Sequence, residues 1–204
     1  MEVIKKTTYL VKDFELTFEP IKDSIKIEKT KKGYTIKYLV YDNNPFNPFE
    51  DDGLGNFYHW KDFGQEQLEK YCELLGYDSE TREKIKEDDL LAVRIDKYEH
   101  SGVSYSVKGE GTQCKWDTSN SWAVWYPDNC LLEMLKEIKN KNAQRKKAIE
   151  YARQACELHN QWANGEAYII VKETFNKEKK NIDYDNIGGY FGYESSLKAL
   201  ENEI

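Results

Sequence analysis

Residues 98–126 read YEHSGVSYSVKGEGTQCKWDTSNSWAVWY, and how this stretch folds decides the fold class. Apolar side chains at Val103, Tyr105 and Val107 alternate with serines, the period of a half-buried strand. A segment rich in Gly, Thr, Ser and Asp follows, and then a second apolar run at 121–126. Two strands joined by turns are predicted, at 103–107 and 121–126. The same stretch holds three of the five tryptophans, one of the three histidines and one of the four cysteines. Apolar surface and reactive groups are mixed more closely here than anywhere else in the chain.

Working upstream, Leu90–Ile95 is a near-continuous apolar run that predicts a central strand. Short helices are predicted at 65–75, with Leu68, Tyr71, Cys72 and Leu75 on one face and Gly76 as its stop, and at 79–86, capped by Ser79. Residues 42–64 carry two Asn-Pro steps and three glycines, which predict a long loop, and Phe46, Phe49, Phe57, Tyr58 and Trp60 within it predict that it folds back on the body. Alternation at 14–18, 25–27 and 34–38, with a Lys31-Lys32-Gly33 turn, predicts an N-terminal β-meander over residues 1–41.

Downstream, Pro127-Asp128 opens a helix carrying Leu131, Met134, Leu135 and Ile138. The run 140–147 reads as a polar junction, followed by a helix over 143–163 with Tyr151, Ala155, Leu158 and Trp162 on its buried face. Asn164-Gly165 ends it. A strand at 167–174, a charged loop at 176–185, a glycine-interrupted strand at 187–193 and a C-terminal helix complete the reading. The pattern is α+β: an antiparallel sheet with several helices packed on one side, in a single domain spanning 1–204, with 1–41 as an N-terminal addition.

Composition bounds the function. The formal net charge of −7 and the absence of a broad basic stretch argue against direct nucleic-acid binding through phosphates. An acidic protein can instead dock on a basic groove of a nucleic-acid-handling partner. The four cysteines are scattered without a CxxC pair, which predicts free thiols in a reducing compartment. The segment MEVIKKTTYLV is too short and too charged for a signal peptide, and no apolar run reaches spanning length. A cytoplasmic protein with no membrane partner is the expectation.

Three constellations could carry chemistry. His100 beside Ser101, with Cys114 and Asp117 on the same folded ribbon, could form a thiol–imidazole–carboxylate set, which requires those side chains within about 4 Å of one another. The bland reading is that His, Ser and Asp satisfy backbone groups in tight turns. Asp51, Asp52, His59, His100 and Asp117 could converge on a metal, yet their spacing matches no fixed ligand pattern, and neither metal nor cofactor is expected. The basic run 140–147 lacks interleaved aromatics and reads as a solvated helix start.

Four blocks resemble an uncharacterised family of accessory proteins from phages and integrative elements of Gram-positive bacteria. They are Asp52-Gly53-Leu54-Gly55 with His59-Trp60, then Glu99-His100-Ser101-Gly102-Val103, then Cys114-Lys115-Trp116-Asp117. The last pairs Asn164-Gly165-Glu166-Ala167-Tyr168 with Gly188-Gly189-Tyr190-Phe191-Gly192. Glu99 stands where the family has aspartate, and the C-terminal block lacks the family's cysteine and tryptophan. The resemblance implies a mobile-element protein that inhibits a bacterial defence nuclease, a CRISPR effector or restriction enzyme, by protein contact. Asp51, Asp52, Trp60, Glu99 and Asp117 are the contacts it suggests. Two other arrangements are weighed beside it: a small hydrolase or nucleotide- or nucleic-acid-modifying enzyme using His100 with Cys114 or Asp117, and a homodimer through strand edges.

Overall fold

A computed structural model gives the fold and describes residues 9–48, 50, 53–59 and 91–202. The helices expected at 65–75 and 79–86, and residues Asp51, Asp52 and Trp60, lie outside the described residues. The class is α+β: two four-stranded antiparallel sheets, a two-stranded hairpin and three helices among the described residues. The strands are thus divided among two sheets and a hairpin. Contacts divide the chain into two compact units, Met1–Phe46 with Gly165–Ile204, and Asn47–Asn164.

In the first unit, β1 (Tyr9–Val11) and β2 (Phe14–Leu16) form the hairpin. The sheet has the order β10-β9-β4-β3, with β3 at Lys26–Lys29, β4 at Gly33–Tyr41, β9 at Ala167–Asn176 and β10 at Asn181–Phe191. Strand β4, expected in an N-terminal meander, pairs along its whole length with β9. Strand β9 is buried on both faces. Ile170 and Tyr168 join Leu39 beneath Leu200 of α3 (Tyr193–Asn202), the third helix in chain order. Val171 and Phe175, with Ile36, Tyr38 and Val40, meet Phe14 and Leu16 of the hairpin on the opposite face. Helix on one face and hairpin on the other explain why the first half of β9, residues 167–171, is an unbroken apolar run. Burial of each such side chain contributes roughly 1.5–3 kcal/mol.

A carboxyl group lies inside this unit. Glu173 is fully buried, and it accepts hydrogen bonds from the Thr17 N–H (2.8 Å), the Tyr38 hydroxyl and the Asn181 side-chain amide. One carboxylate therefore ties β9 to the hairpin, to β4 and to the start of β10. Burial, and then the hydrogen bond to Glu173, push the Tyr38 hydroxyl far above its ordinary range, so Tyr38 stays a donor at any working pH.

Two elements differ from the sequence reading here. The expected charged loop at 176–185 is mostly strand, because β10 starts at Asn181 and its first eight residues are exposed. The alternation there, Ile182-Asp183-Tyr184-Asp185, covers only four residues and follows the charged run 177–180, so the segment reads as loop. Gly33, read as a turn residue, also meets its neighbour strand: a Cβ there would lie 1.9 Å from the Phe175 carbonyl oxygen.

The second unit has the sheet order β5-β8-β6-β7, all antiparallel: β5 Asn56–His59, β6 Val93–Glu99, β7 Val103–Val107 and β8 Thr118–Tyr126. Strand β6 is central, as expected, and β7 has its predicted bounds. β5 lies in the segment read as irregular; at four residues it is too short to show a period. Val93, Ile95, Val107, Ala123 and Trp125 face α1 (Asn129–Lys136) and α2 (Lys141–Ala163). The buried residues of α2 are Ala148, Ala152, Ala155 and Cys156, not the expected Tyr151, Leu158 and Trp162, which are half-buried. Small side chains let this helix lie close to the sheet. Met134 of α1, expected inside, is exposed, while Leu131, Leu132 and Leu135 are buried.

Carboxylates organise the loops of this unit too. Asp128 caps α1, accepting from the Leu131 N–H (3.0 Å) with one oxygen and from the N–H groups of Gly53 (2.6 Å) and Gly55 (2.8 Å) with the other. That clamp holds Leu54, whose carbonyl accepts from Trp125 Nε1 at 2.8 Å. Gly55 has φ +77°, and an added Cβ would fall 2.4 Å from the Trp125 ring, so backbone conformation and space both require glycine. Asp96, 1% exposed, accepts from the N–H groups of Ser121 (2.6 Å) and Gly109 (2.8 Å). Ser121 has φ +52° at the register shift between β6 and β8, and Asp96 thereby pins a β-bulge.

The outer edge of β7 is closed by side chains. Asn160 accepts from the Tyr105 N–H (2.6 Å) and donates to its carbonyl (2.9 Å). Asn164 does the same for Val103, at 3.3 and 2.8 Å. Four helical residues rise about 6 Å and two strand residues span about 6.6 Å, so amides at i and i+4 match alternate backbone groups of a strand. The two asparagines act as a missing neighbour strand.

Candidate functional site

The candidate site lies at the end of the second unit's sheet where β6 turns into β7 and where β8 begins. Register sets it: Tyr98 stands opposite Thr118, and the Glu99 N–H donates to the Asp117 carbonyl at 2.9 Å. His100 and Asp117 are neighbours for that reason. The His100 turn closes with its N–H on the Gly102 carbonyl (3.1 Å), with Ser101 at φ +59°. Thr118 clamps the facing loop. Its hydroxyl accepts from the Cys114 N–H (2.9 Å) and donates to the Thr112 carbonyl (2.9 Å), and its N–H donates to the Cys114 carbonyl (3.0 Å).

The structure brings His100, Cys114 and Asp117 together. One carboxylate oxygen of Asp117, Oδ2, lies 3.4 Å from His100 Nδ1 and accepts from Cys114 Sγ at 3.5 Å. The His100 side chain is 65% exposed. The order of the three groups decides what they can do. A thiol nucleophile needs a base or cation beside it and a carboxylate behind the imidazole. Here the carboxylate is the group that touches both others. That arrangement suits a hydrogen-bonded surface turn better than a proton relay. Cys114, Cys130 and Cys156 are all free; burial pushes the Cys156 thiol up to about 12, which makes it an inert core residue.

The other expected contacts are dispersed. Glu99 is paired with Lys97 at 2.7 Å, and the Lys97 ammonium lies 5.4 Å from the Trp122 ring centre. Asp51, Asp52 and Trp60 are outside the described residues. His59 belongs to β5, opposite Ala123. Among the described residues, no group of three or more His, Cys, Asp or Glu side chains is arranged to hold a metal ion. The basic run belongs mostly to the first turns of α2, where Arg145 donates to the Ala92 carbonyl and Lys147 pairs with Glu150 at 2.9 Å.

Trp116 was not singled out as a contact by sequence reasoning. It is 84% exposed, between Lys115, whose ammonium is 5.2 Å from its ring centre, and Asp117. A tryptophan flanked by charges in a Gly- and Thr-rich turn, outside any alternation, was the available signal. His159 stacks among Phe57, Tyr105 and Trp162, with ring centres 5.4, 4.5 and 5.5 Å away, and burial lowers its pKa.

No helix among the described residues is long and apolar enough to cross a membrane. Comparison of the chain with protein-family models, with curated proteins and with solved structures finds no match.

Proposed function

We propose that this protein is a non-enzymatic, mobile-element-encoded inhibitor that docks on a bacterial defence nuclease, a CRISPR effector or restriction enzyme, in the host cytoplasm. The observation that carries the reading is Trp116. An indole left 84% exposed on a loop braced by Thr118 is a preformed anchor of the kind that dominates protein interfaces. Asp117 beside it and the chain's net charge of −7 suit a basic, nucleic-acid-binding groove as the partner surface. The four sequence blocks that resemble phage and integrative-element accessory proteins supply the biological context.

The test is DNA cleavage by candidate effectors from Gram-positive hosts, with and without the protein, together with co-elution. Inhibition by the wild type is expected. Trp116→Ala should weaken it about thirtyfold or more, the loss of an interface hot spot, while folding stability stays within about 0.5 kcal/mol, as for other exposed positions. No inhibition of any effector, or equal inhibition by the variant, rejects the reading.

A second reading, a small hydrolase or nucleotide- or nucleic-acid-modifying enzyme, rests on the approach of His100 and Cys114 to Asp117. It requires that His100→Ala, and either Cys114→Ala or Asp117→Ala, abolish the biological effect. On the binding reading His100→Ala and Cys114→Ala retain most of it.

A further inference from the structure

Strand β10 is the outer strand of its sheet, and its first eight residues are exposed. It is eleven residues long, and register shifts at 181/183 and 187/190 leave 183–187 as its regular stretch, about the length of a mean strand and long enough to template another. Ile182, Tyr184 and Ile187 are 60%, 54% and 40% exposed. Register with β9 sorts the side chains by face. Asp183, Asp185 and Ile187 stand opposite Thr174, Lys172 and Ile170, toward the α3 side. Tyr184 stands opposite Glu173 on the hairpin side, where its ring meets Phe18 edge-on at 6.2 Å. The Asn186 N–H is bonded to the Asp185 carboxylate at 2.8 Å, a side chain standing in for a neighbour strand. Neither Asp183 nor Asp185 makes an ion pair among the described residues.

We propose that this edge accepts an extended segment of another protein, in which lysine or arginine alternates with apolar residues, as a fifth strand. Main-chain hydrogen bonds along β10 supply affinity, and the alternate side chains supply selectivity. Basic residues of the segment lie beside Asp183 and Asp185 on one face. Its apolar residues lie beside Tyr184 on the other. A second copy of the chain is the poorer occupant. Twofold antiparallel pairing centred on residue 183, 184 or 185 sets aspartate directly opposite aspartate, which is repulsive. The surface belongs to the first unit and does not depend on the Trp116 turn.

The probe is a fluorescein-labelled ten-residue peptide of alternating lysine and valine, blocked at both ends. The alternating glutamate–valine peptide is the control, and both are titrated against the full chain by anisotropy. The lysine peptide should bind about tenfold or more tightly than the control, the effect of two cross-strand charge pairs changing sign. Binding should slow amide exchange at 182–188. D183K/D185K should reverse the preference, and D183N/D185N should erase it, with unchanged circular dichroism in both. Trp116→Ala should leave peptide affinity unchanged, which separates this surface from the proposed inhibitory contact. Equal binding of the two peptides, an unaltered preference in D183K/D185K, or protection elsewhere in the chain overturns the proposal. So does a dimer in light scattering whose β10 amides are already protected without peptide.

Discussion

The two sheets end in edges that are treated in opposite ways. Strand β7 is sealed by Asn160 and Asn164, which take up both backbone groups of Tyr105 and Val103. Strand β10 is held at its start by Asn181 on Glu173, and its first eight residues, Asn181 included, are exposed. Edges left open are templates for pairing, and proteins usually blunt them. The difference shows that closing an edge needs a partner of matched spacing, which α2 supplies to β7. At β10, charge on Asp183 and Asp185 discourages self-pairing without removing the template.

The largest effect should come from loosening the anchor of the open edge. Glu173→Ala leaves the Thr17 N–H, the Tyr38 hydroxyl and the Asn181 amide without their acceptor in a fully buried place. It should cost about 3 kcal/mol or more. The check is a urea midpoint shift with faster amide exchange in β10. Glu173→Gln should cost less, because it keeps the shape and one acceptor oxygen.

Next in size is the conversion of the sealed edge into an open one. Asn160→Ala with Asn164→Ala should cost about 2 kcal/mol, with more of it from Asn160, whose two bonds to Tyr105 are partly buried. The double variant should also self-associate with rising concentration in light scattering. If it stays monomeric and loses no stability, the asparagines do not protect the edge.

The smallest effect is a pH dependence of the sealed edge. His159 precedes Asn160 and packs its ring against Tyr105, and burial lowers its pKa below the ordinary 6.5. The unfolded chain therefore takes up the proton first. Stability from neutral His159 is fully present above pH 6.5 and is lost as pH falls from there through the lower folded-state value. His159→Phe should flatten the fall in melting temperature between pH 7 and 5.5. An unchanged slope would assign the dependence to other groups.

Where the chain carried a clean local code, its elements were legible. Alternation at 103–107 and the apolar run at 121–126 led to β7 and β8, and Asp128 and Asn140 cap the helices that follow them. The second half of β10 falls within the strand expected at 187–193, while its first half reads as loop because its alternation covers only Ile182 to Asp185 in a charged setting. Ala155 was placed correctly on the buried face of α2, but the rest of the stripe was misassigned because alanines at 148 and 152 carry less hydrophobic signal than the larger residues flanking them. At the site, proximity of His100, Cys114 and Asp117 could be anticipated from one folded ribbon. Which group would stand between the others could not, nor could the exposure of Trp116.

The sequence by itself determined the α+β class, most strand and helix positions and the acidic charge, because propensity, period and composition are local properties. Tertiary structure decided which strands share a sheet, which edge is sealed and which left open, and that Asp96, Asp128 and Glu173 each hold several segments with one carboxylate. Those outcomes depend on backbone groups far apart in the chain arriving within hydrogen-bond distance. In residues 98–126 the same division holds: the turns were written locally, while packing of Trp122 and Trp125 against the second unit's core left Trp116 alone facing solvent.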